Sequence, residues 1–231
     1  MTGARFRPLA TGSALPAATV ALVLALASPR SAHADRHELT LGVRPTRGSA
    51  RISEAGTDER AEVRSRGFAA SASLGVRDWL DVGGELVLGY FDKASYEMAT
   101  LPISANPLSG PVERKSNTAQ LRGLATLRLG VGWVPFVQLA LGLGARYRTT
   151  ALLYGPTTQG DRWLIPDGQR EEVTLDVVTG IRAGLERRLT VRWTAGVSAA
   201  AAHSFGVFRP DLQTSDVTIS LSYSWYPLLD P

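Results

Sequence analysis

Between residues 117 and 148 apolar and polar side chains alternate with a period of two. Ala119, Leu121, Ala125, Leu127 and Leu129 oppose Gln120, Arg122, Thr126 and Arg128. After a break from Gly130 to Trp133, the series Val137, Leu139, Leu141, Leu143, Ala145 and Tyr147 opposes Gln138, Ala140, Gly142, Gly144, Arg146 and Arg148. A helix repeats every 3.6 residues, so both arms are strands of a hairpin with a tight turn. Each arm runs about 12 residues, longer than the usual ~5–6 and matched to a tilted strand crossing a bilayer.

The same alternation predicts six more strands: His37 to Arg44, Gly67 to Arg77, Leu80 to Phe91, Glu172 to Leu185, Leu189 to His203 and Asp216 to Tyr226. Residues 45–65, 92–116, 149–170 and 204–215 carry charge, proline and glycine without a usable period, and are expected to be long loops. The remaining connections, at Arg77 to Trp79, Gly130 to Trp133 and Glu186 to Arg188, are short. Long and short connections therefore alternate along eight strands. That order is expected of an all-β, eight-stranded, antiparallel up-and-down transmembrane barrel, with short turns on one side and long loops on the other.

Period alone does not say which face looks inward, because a soluble lipocalin-like barrel has the same strand count with its faces reversed. The polar face mixes charges with small residues, among them Ser71, Ser73, Gly75, Gly142, Gly144, Gly180, Gly184 and Ser198. Glycine weakens an exposed strand, whereas in a narrow lumen it makes room for a neighbour's long side chain. The polar face is therefore expected inside. Glu85, Arg122, Arg128, Arg146, Asp176, Arg182 and Arg192 would then form an interior charge network, in which each charge must find a partner. On the outward face, Phe68, Tyr90 and Tyr147 lie next to the long loops, and Trp193, Tyr223 and Trp225 next to the short turns. These are the two aromatic girdles expected at membrane interfaces.

Composition narrows the rest. Arg5 and Arg7, an apolar run from Ala14 to Ala27, and Ala32-His33-Ala34 have the layout of a secretory signal with its cleavage site. Residues 1–34 are thus expected to be a signal peptide and 35–231 the barrel. The signal holds three of the 25 basic residues and none of the 21 acidic ones, so the mature chain is close to neutral and no nucleic-acid partner is expected. With no cysteine there are no disulfides, no thiolate nucleophile and no cysteine-bound metal. No cofactor fingerprint or paired-histidine metal spacing occurs; His33, His37 and His203 are isolated.

On these strands, faces and aromatic positions the chain resembles the OmpA-type family of small outer-membrane barrels, including the OmpX-like and OmpW-like groups, over roughly residues 35–226. The resemblance implies insertion by the barrel-assembly machinery, which in such families reads a terminal aromatic residue; Tyr223, Trp225 and Tyr226 look like that signal, although Pro227 to Pro231 extend beyond it. It also implies contact with outer-membrane lipids including lipopolysaccharide, and a Gram-negative outer-membrane location.

The expected role is an integral surface protein, not an enzyme, with a filled polar interior and long external loops that meet an unknown partner. A narrow conduit for small solutes is one alternative, since paired charges also line channels; an eight-stranded ring, however, is about wide enough for its own side chains. A lipid A-modifying enzyme is the other. His203-Ser204 is the pair that suggests it, but adjacent residues point to opposite faces of a strand.

Overall fold

The structure, a computed structural model, describes residues 37–53, 60–101, 108–130, 132–153, 164–206 and 209–225. The expected signal segment, residues 1–34, lies outside the described residues. Nine strands occur among those described: β1 (Leu39–Ser53), β2 (Arg60–Arg77), β3 (Leu80–Phe91), β4 (Ala94–Leu101), β5 (Leu108–Arg128), β6 (Trp133–Leu153), β7 (Leu164–Arg188), β8 (Trp193–Gly206) and β9 (Arg209–Trp225). Every pairing is antiparallel and joins neighbours in the chain, except that β3 also pairs with β5 and β1 pairs with β9. The last pairing closes the sheet. Eight strands thus make an up-and-down ring without edges, and β4 is a ninth that continues beyond β3 along the upper part of β5.

The tight β5–β6 turn depends on Gly130 and Gly132, whose φ angles of 110° and 85° lie where a Cβ is disfavoured. Leu129 N–H donates to the carbonyl of Pro135 at 3.1 Å and closes the turn. On β6, Gly142 sits so close to β5 that a Cβ there would lie 2.0 Å from the carbonyl oxygen of Leu121.

The expected long loops are for the most part not loops. β1 and β2 stay paired from Pro45↔Phe68 to Ser53↔Arg60, across most of residues 45–65. Residues 92–116 contain β4 and the start of β5, β6 runs on to Leu153 with β7 resuming at Leu164, and β8 and β9 extend to Gly206 and from Arg209. β7 reaches 25 residues, although a membrane crossing needs only ~9–11. The surplus projects as paired hairpins beyond the bilayer.

The strand expected from Leu189 starts later. Leu189 and Thr190 donate their amides to the carbonyl of Trp193, and the Thr190 hydroxyl accepts from the amides of Arg192 and Trp193, so residues 189–192 form the turn. Strand geometry begins at Trp193.

Two zones of burial follow. Across the ring the outward residues are apolar and exposed, Leu175 and Ile219 at 72% and 69% among them, while the buried side chains are polar: Glu85, Thr126, Gln138, Arg146, Asp176 and Arg182. In the hairpin extensions the pattern is reversed on β1, β2 and β9, while β5 and β6 keep Arg114, Ser116, Arg148 and Thr150 buried. Ala50, Ile52, Val63, Phe91, Ala94, Tyr96, Val112 and Leu212 form one buried apolar cluster inside the ring, and Arg47, Arg51, Glu62 and Arg64 face out.

Candidate functional site in the barrel interior

The lumen contains three layers, each built from inward positions that the period of two selects on neighbouring strands. At the short-turn end, Arg128 of β5 pairs with Asp81 of β3 and, at 2.9 Å, with Glu186 of β7. Arg188 Nη2 donates to both oxygens of Glu38, at 3.0 and 2.9 Å, tying the residue that precedes β1 to the end of β7. Together with Thr40, Thr194, Ser222 and Ser224 these groups line a cavity of about 360 Å³. Its lining is mixed in charge and rich in hydroxyls, so it suits water and small polar solutes.

The middle layer is a constriction around Glu85, which is 1% exposed. Three guanidinium groups converge on its carboxylate: Arg44 of β1 on Oε1, Arg182 of β7 on Oε1 at 3.3 Å, and Arg122 of β5 on Oε2 at 3.7 Å. Arg122 also donates through Nε to Gln120 at 2.9 Å. Asp216 of β9 accepts from the Ser65 hydroxyl at 3.1 Å and lines the same small space as the three arginines. Hydroxyl and amide pairs brace the wall nearby, Gln138 donating to Thr126 at 2.8 Å and Ser198 bonded to Thr218 at 2.7 Å. Desolvated charges of this kind are tolerated only when they are paired, and removing one partner is costly.

Arg146 and Asp176 form a further buried pair, with contacts of 2.8 Å through Nε and 2.6 Å through Nη2. Beyond it Arg148, Arg114, Ser116 and Thr150 remain buried on β5 and β6, and apolar side chains take over the opposite wall. The guanidinium of Arg114 lies 5.4 Å from the ring centre of Tyr96, whose hydroxyl donates to the carbonyl of Ile52 at 3.3 Å. The remaining space is filled by the apolar cluster that includes Ile52, Phe91, Val112 and Leu212.

Of the charges expected in the interior, Glu85, Arg122, Arg128, Arg146, Asp176 and Arg182 line the lumen. Arg192 does not. It lies exposed in the 189–192 turn, and its Nη1 donates to the Tyr223 hydroxyl at 2.9 Å. Arg44, Asp81, Glu38, Glu186, Arg188 and Asp216 also belong to the layers, beyond the set expected from the sequence. Their parity within the alternation was the available signal; their partners become visible only once the ring closes, as for Glu38 and Arg188, which lie 150 positions apart.

Outside, Phe68, Tyr90, Tyr147, Trp193 and Trp225 are exposed and Tyr223 is half-buried. Trp193 and Tyr223 meet edge to face with centroids 5.1 Å apart, and Arg187 lies over the ring of Trp133 at 5.4 Å. At the other end of the apolar band, Arg66 is directly opposite Arg47 on β1 and Tyr90 on β3, and Arg64 stands two positions further out. All three arginines are exposed, and none makes an ion pair among the described residues. His203 and Ser204 look to opposite sides: Ser204 is buried, while the His203 ring stacks on Phe205 at 4.0 Å. Among the described residues no three acidic or histidine side chains are grouped to hold a metal ion.

A closed antiparallel ring with an apolar exterior, aromatic ends and a charged interior is the architecture of the small outer-membrane β-barrels, and this chain has it. No family model matches the chain, and no curated protein matches its sequence. Among solved structures it is similar to Ail, the attachment invasion locus protein of Yersinia pestis, at 10% identity over 82% of this chain and 99% of Ail, with a TM-score of 0.49. Neisserial surface protein A matches at 10% identity over 81% of this chain and 97% of that one, with a TM-score of 0.47. The outer membrane protein OprG from Pseudomonas aeruginosa matches at 14% identity over 84% and 98%, with a TM-score of 0.40.

Proposed function

We propose that the protein is an integral outer-membrane barrel of a Gram-negative bacterium, exported by its N-terminal signal, inserted by the barrel-assembly machinery, and active at the cell surface through its projecting hairpins. It is neither a conduit nor an enzyme. The observation that carries this reading is the closure of the lumen at two heights: the Glu85 cluster at mid-barrel and the apolar cluster around Ile52 and Phe91 above it. An ion leaving the turn-end cavity meets desolvated paired charges and then an apolar cluster packed beside the buried guanidinium groups of Arg148 and Arg114. The surface available for contact is therefore that of the hairpins. Against an esterase-like role stands the opposed facing of His203 and Ser204.

Lipopolysaccharide is the first partner this surface would meet. Arg47, Arg64 and Arg66 stand just above Phe68 and Tyr90, at the height where phosphate groups of the outer leaflet would lie. Two like charges placed directly opposite repel unless an anion lies between them, which is the chemistry a lipid phosphate supplies.

Planar-bilayer recording on the full chain tests the reading. No stepwise current is expected. Discrete steps that disappear in Arg122→Ala or Arg146→Ala would replace the surface role with a narrow conduit.

A further inference from the structure

We infer that the mid-barrel constriction is a binding site for one small monovalent anion of chloride size, held between Arg44, Arg122 and Arg182. Three guanidinium groups share this layer with two carboxylates, Glu85 and Asp216, so the group carries one uncompensated positive charge in a medium of low dielectric. The donors are not exhausted by the carboxylates, even though Glu85 Oε2 is also without a hydrogen bond among the described residues. Arg44 and Arg182 are 5% and 8% exposed, yet Nε of each has no hydrogen-bond acceptor among the described residues. A buried charged donor left without an acceptor is costly and rare in native proteins.

Both side chains line a space of about 30 Å³, together with Arg122, Asp216 and the hydroxyl of Thr46. A space of this kind holds a water-sized particle once it exceeds roughly 10–15 Å³, so one halide fits and a sugar, a phosphate ester or an amino acid does not. Water would satisfy the free N–H groups but leave the charge uncompensated. A cation would face three arginines. A halide meets both requirements, and it would make the Glu85 layer a bound-ion seal.

The full chain, refolded in detergent and crystallised, would be soaked in bromide and measured at the bromine absorption edge, where an anomalous peak is expected beside Arg44 and Arg182. In solution, replacing gluconate, an anion too large for the site, by chloride at constant ionic strength should raise the urea midpoint of unfolding, because a ligand that binds only the folded state stabilises it. Two variants separate binding from general salt effects. Arg182→Gln removes one donor group and should abolish both signals. Should it fail to fold, Gly180→Ala remains: its new Cβ would lie 3.4 Å from the Ala201 oxygen and the Ala202 Cβ and 3.7 Å from the Ala140 Cβ, ordinary contacts, while projecting into the same space. Loss of the bromide peak and of the chloride dependence in this uncharged change supports the site. Absence of the peak in the unaltered protein, equal midpoints in chloride and gluconate, or a chloride effect that survives Gly180→Ala would overturn it.

Discussion

Within single strands of this protein, two regions obey the same alternation and bury the same face, but the chemistry of that face is reversed between them. On β1, Leu41 and Val43 look outward and Arg44 inward at the level of the membrane; a few residues on, Arg47 and Arg51 look outward and Ala50 and Ile52 inward. Backbone pairing does not change across this point, since β1 and β2 keep one register from Leu39↔Leu74 to Ser53↔Arg60. What changes is the surrounding solvent. Where hydrocarbon surrounds the ring, apolar side chains gain nothing by turning inward and the lumen takes the polar ones; where water surrounds it, the hydrophobic effect restores the order of a soluble barrel.

The two interiors should therefore fail in different ways, and the largest effect belongs to the charged one. Glu85→Ala leaves three guanidinium groups around a vacated carboxylate in the middle of the ring, a change expected to cost about 3–5 kcal/mol. Urea titration of the refolded barrel in lipid vesicles measures it. A cost near zero would mean that water screens the cluster and that the layer is not desolvated.

In the apolar interior, Ile52→Ala opens a cavity in the packed cluster and should cost about 2–5 kcal/mol. That cost is expected to remain local, because the hairpin extension can open while the ring below stays closed. Amide exchange in residues 45–53 and 60–66 should accelerate, while the heat-dependent shift in gel migration that marks a folded barrel is retained. If Ile52→Ala abolished that shift, the two regions would be one cooperative unit and the contrast between them would be structural only.

This reversal explains what was legible in the chain and what was hidden. Transmembrane strands stood out because one face stays apolar for five or six steps, as from Val137 to Tyr147. The extensions looked like loops because the apolar face changes sides partway along the strand. Through residues 45–53, Arg47 and Arg51 occupy the parity that Leu41 and Val43 held, so a single hydrophobic phase fitted across both cancels. Parity alone misplaces Arg192 for the opposite reason. Leu189, Val191 and Trp193 keep strand parity through a turn, so parity put Arg192 in the lumen although the Thr190 hydroxyl holds residues 189–192 out of the ladder. The layers themselves were legible as a set of inward charges, but not their pairing: Arg44, Arg122 and Arg182 reach Glu85 from three different strands, and that convergence is set by how the ring closes.

The smallest effects test the outer surface, where one substitution at two heights isolates the solvent from the backbone. Leu141 is an outward, exposed residue near the centre of β6 within the apolar band. Leu141→Arg places a guanidinium against hydrocarbon and should destabilise by about 2–4 kcal/mol in a vesicle-based unfolding titration. Ser215 is also outward and exposed, but it is opposite Ser49 on β1 and Ala201 on β8, at the level of the extensions. There Ser215→Arg leaves the new charge in water, and its effect should stay within about 0.5 kcal/mol. The difference between the two measurements is the quantity of interest, because strand type, facing and introduced side chain are the same. Equal costs would place both residues in one medium, and the boundary at which the barrel's faces exchange would then lie beyond Ser215 or would not exist.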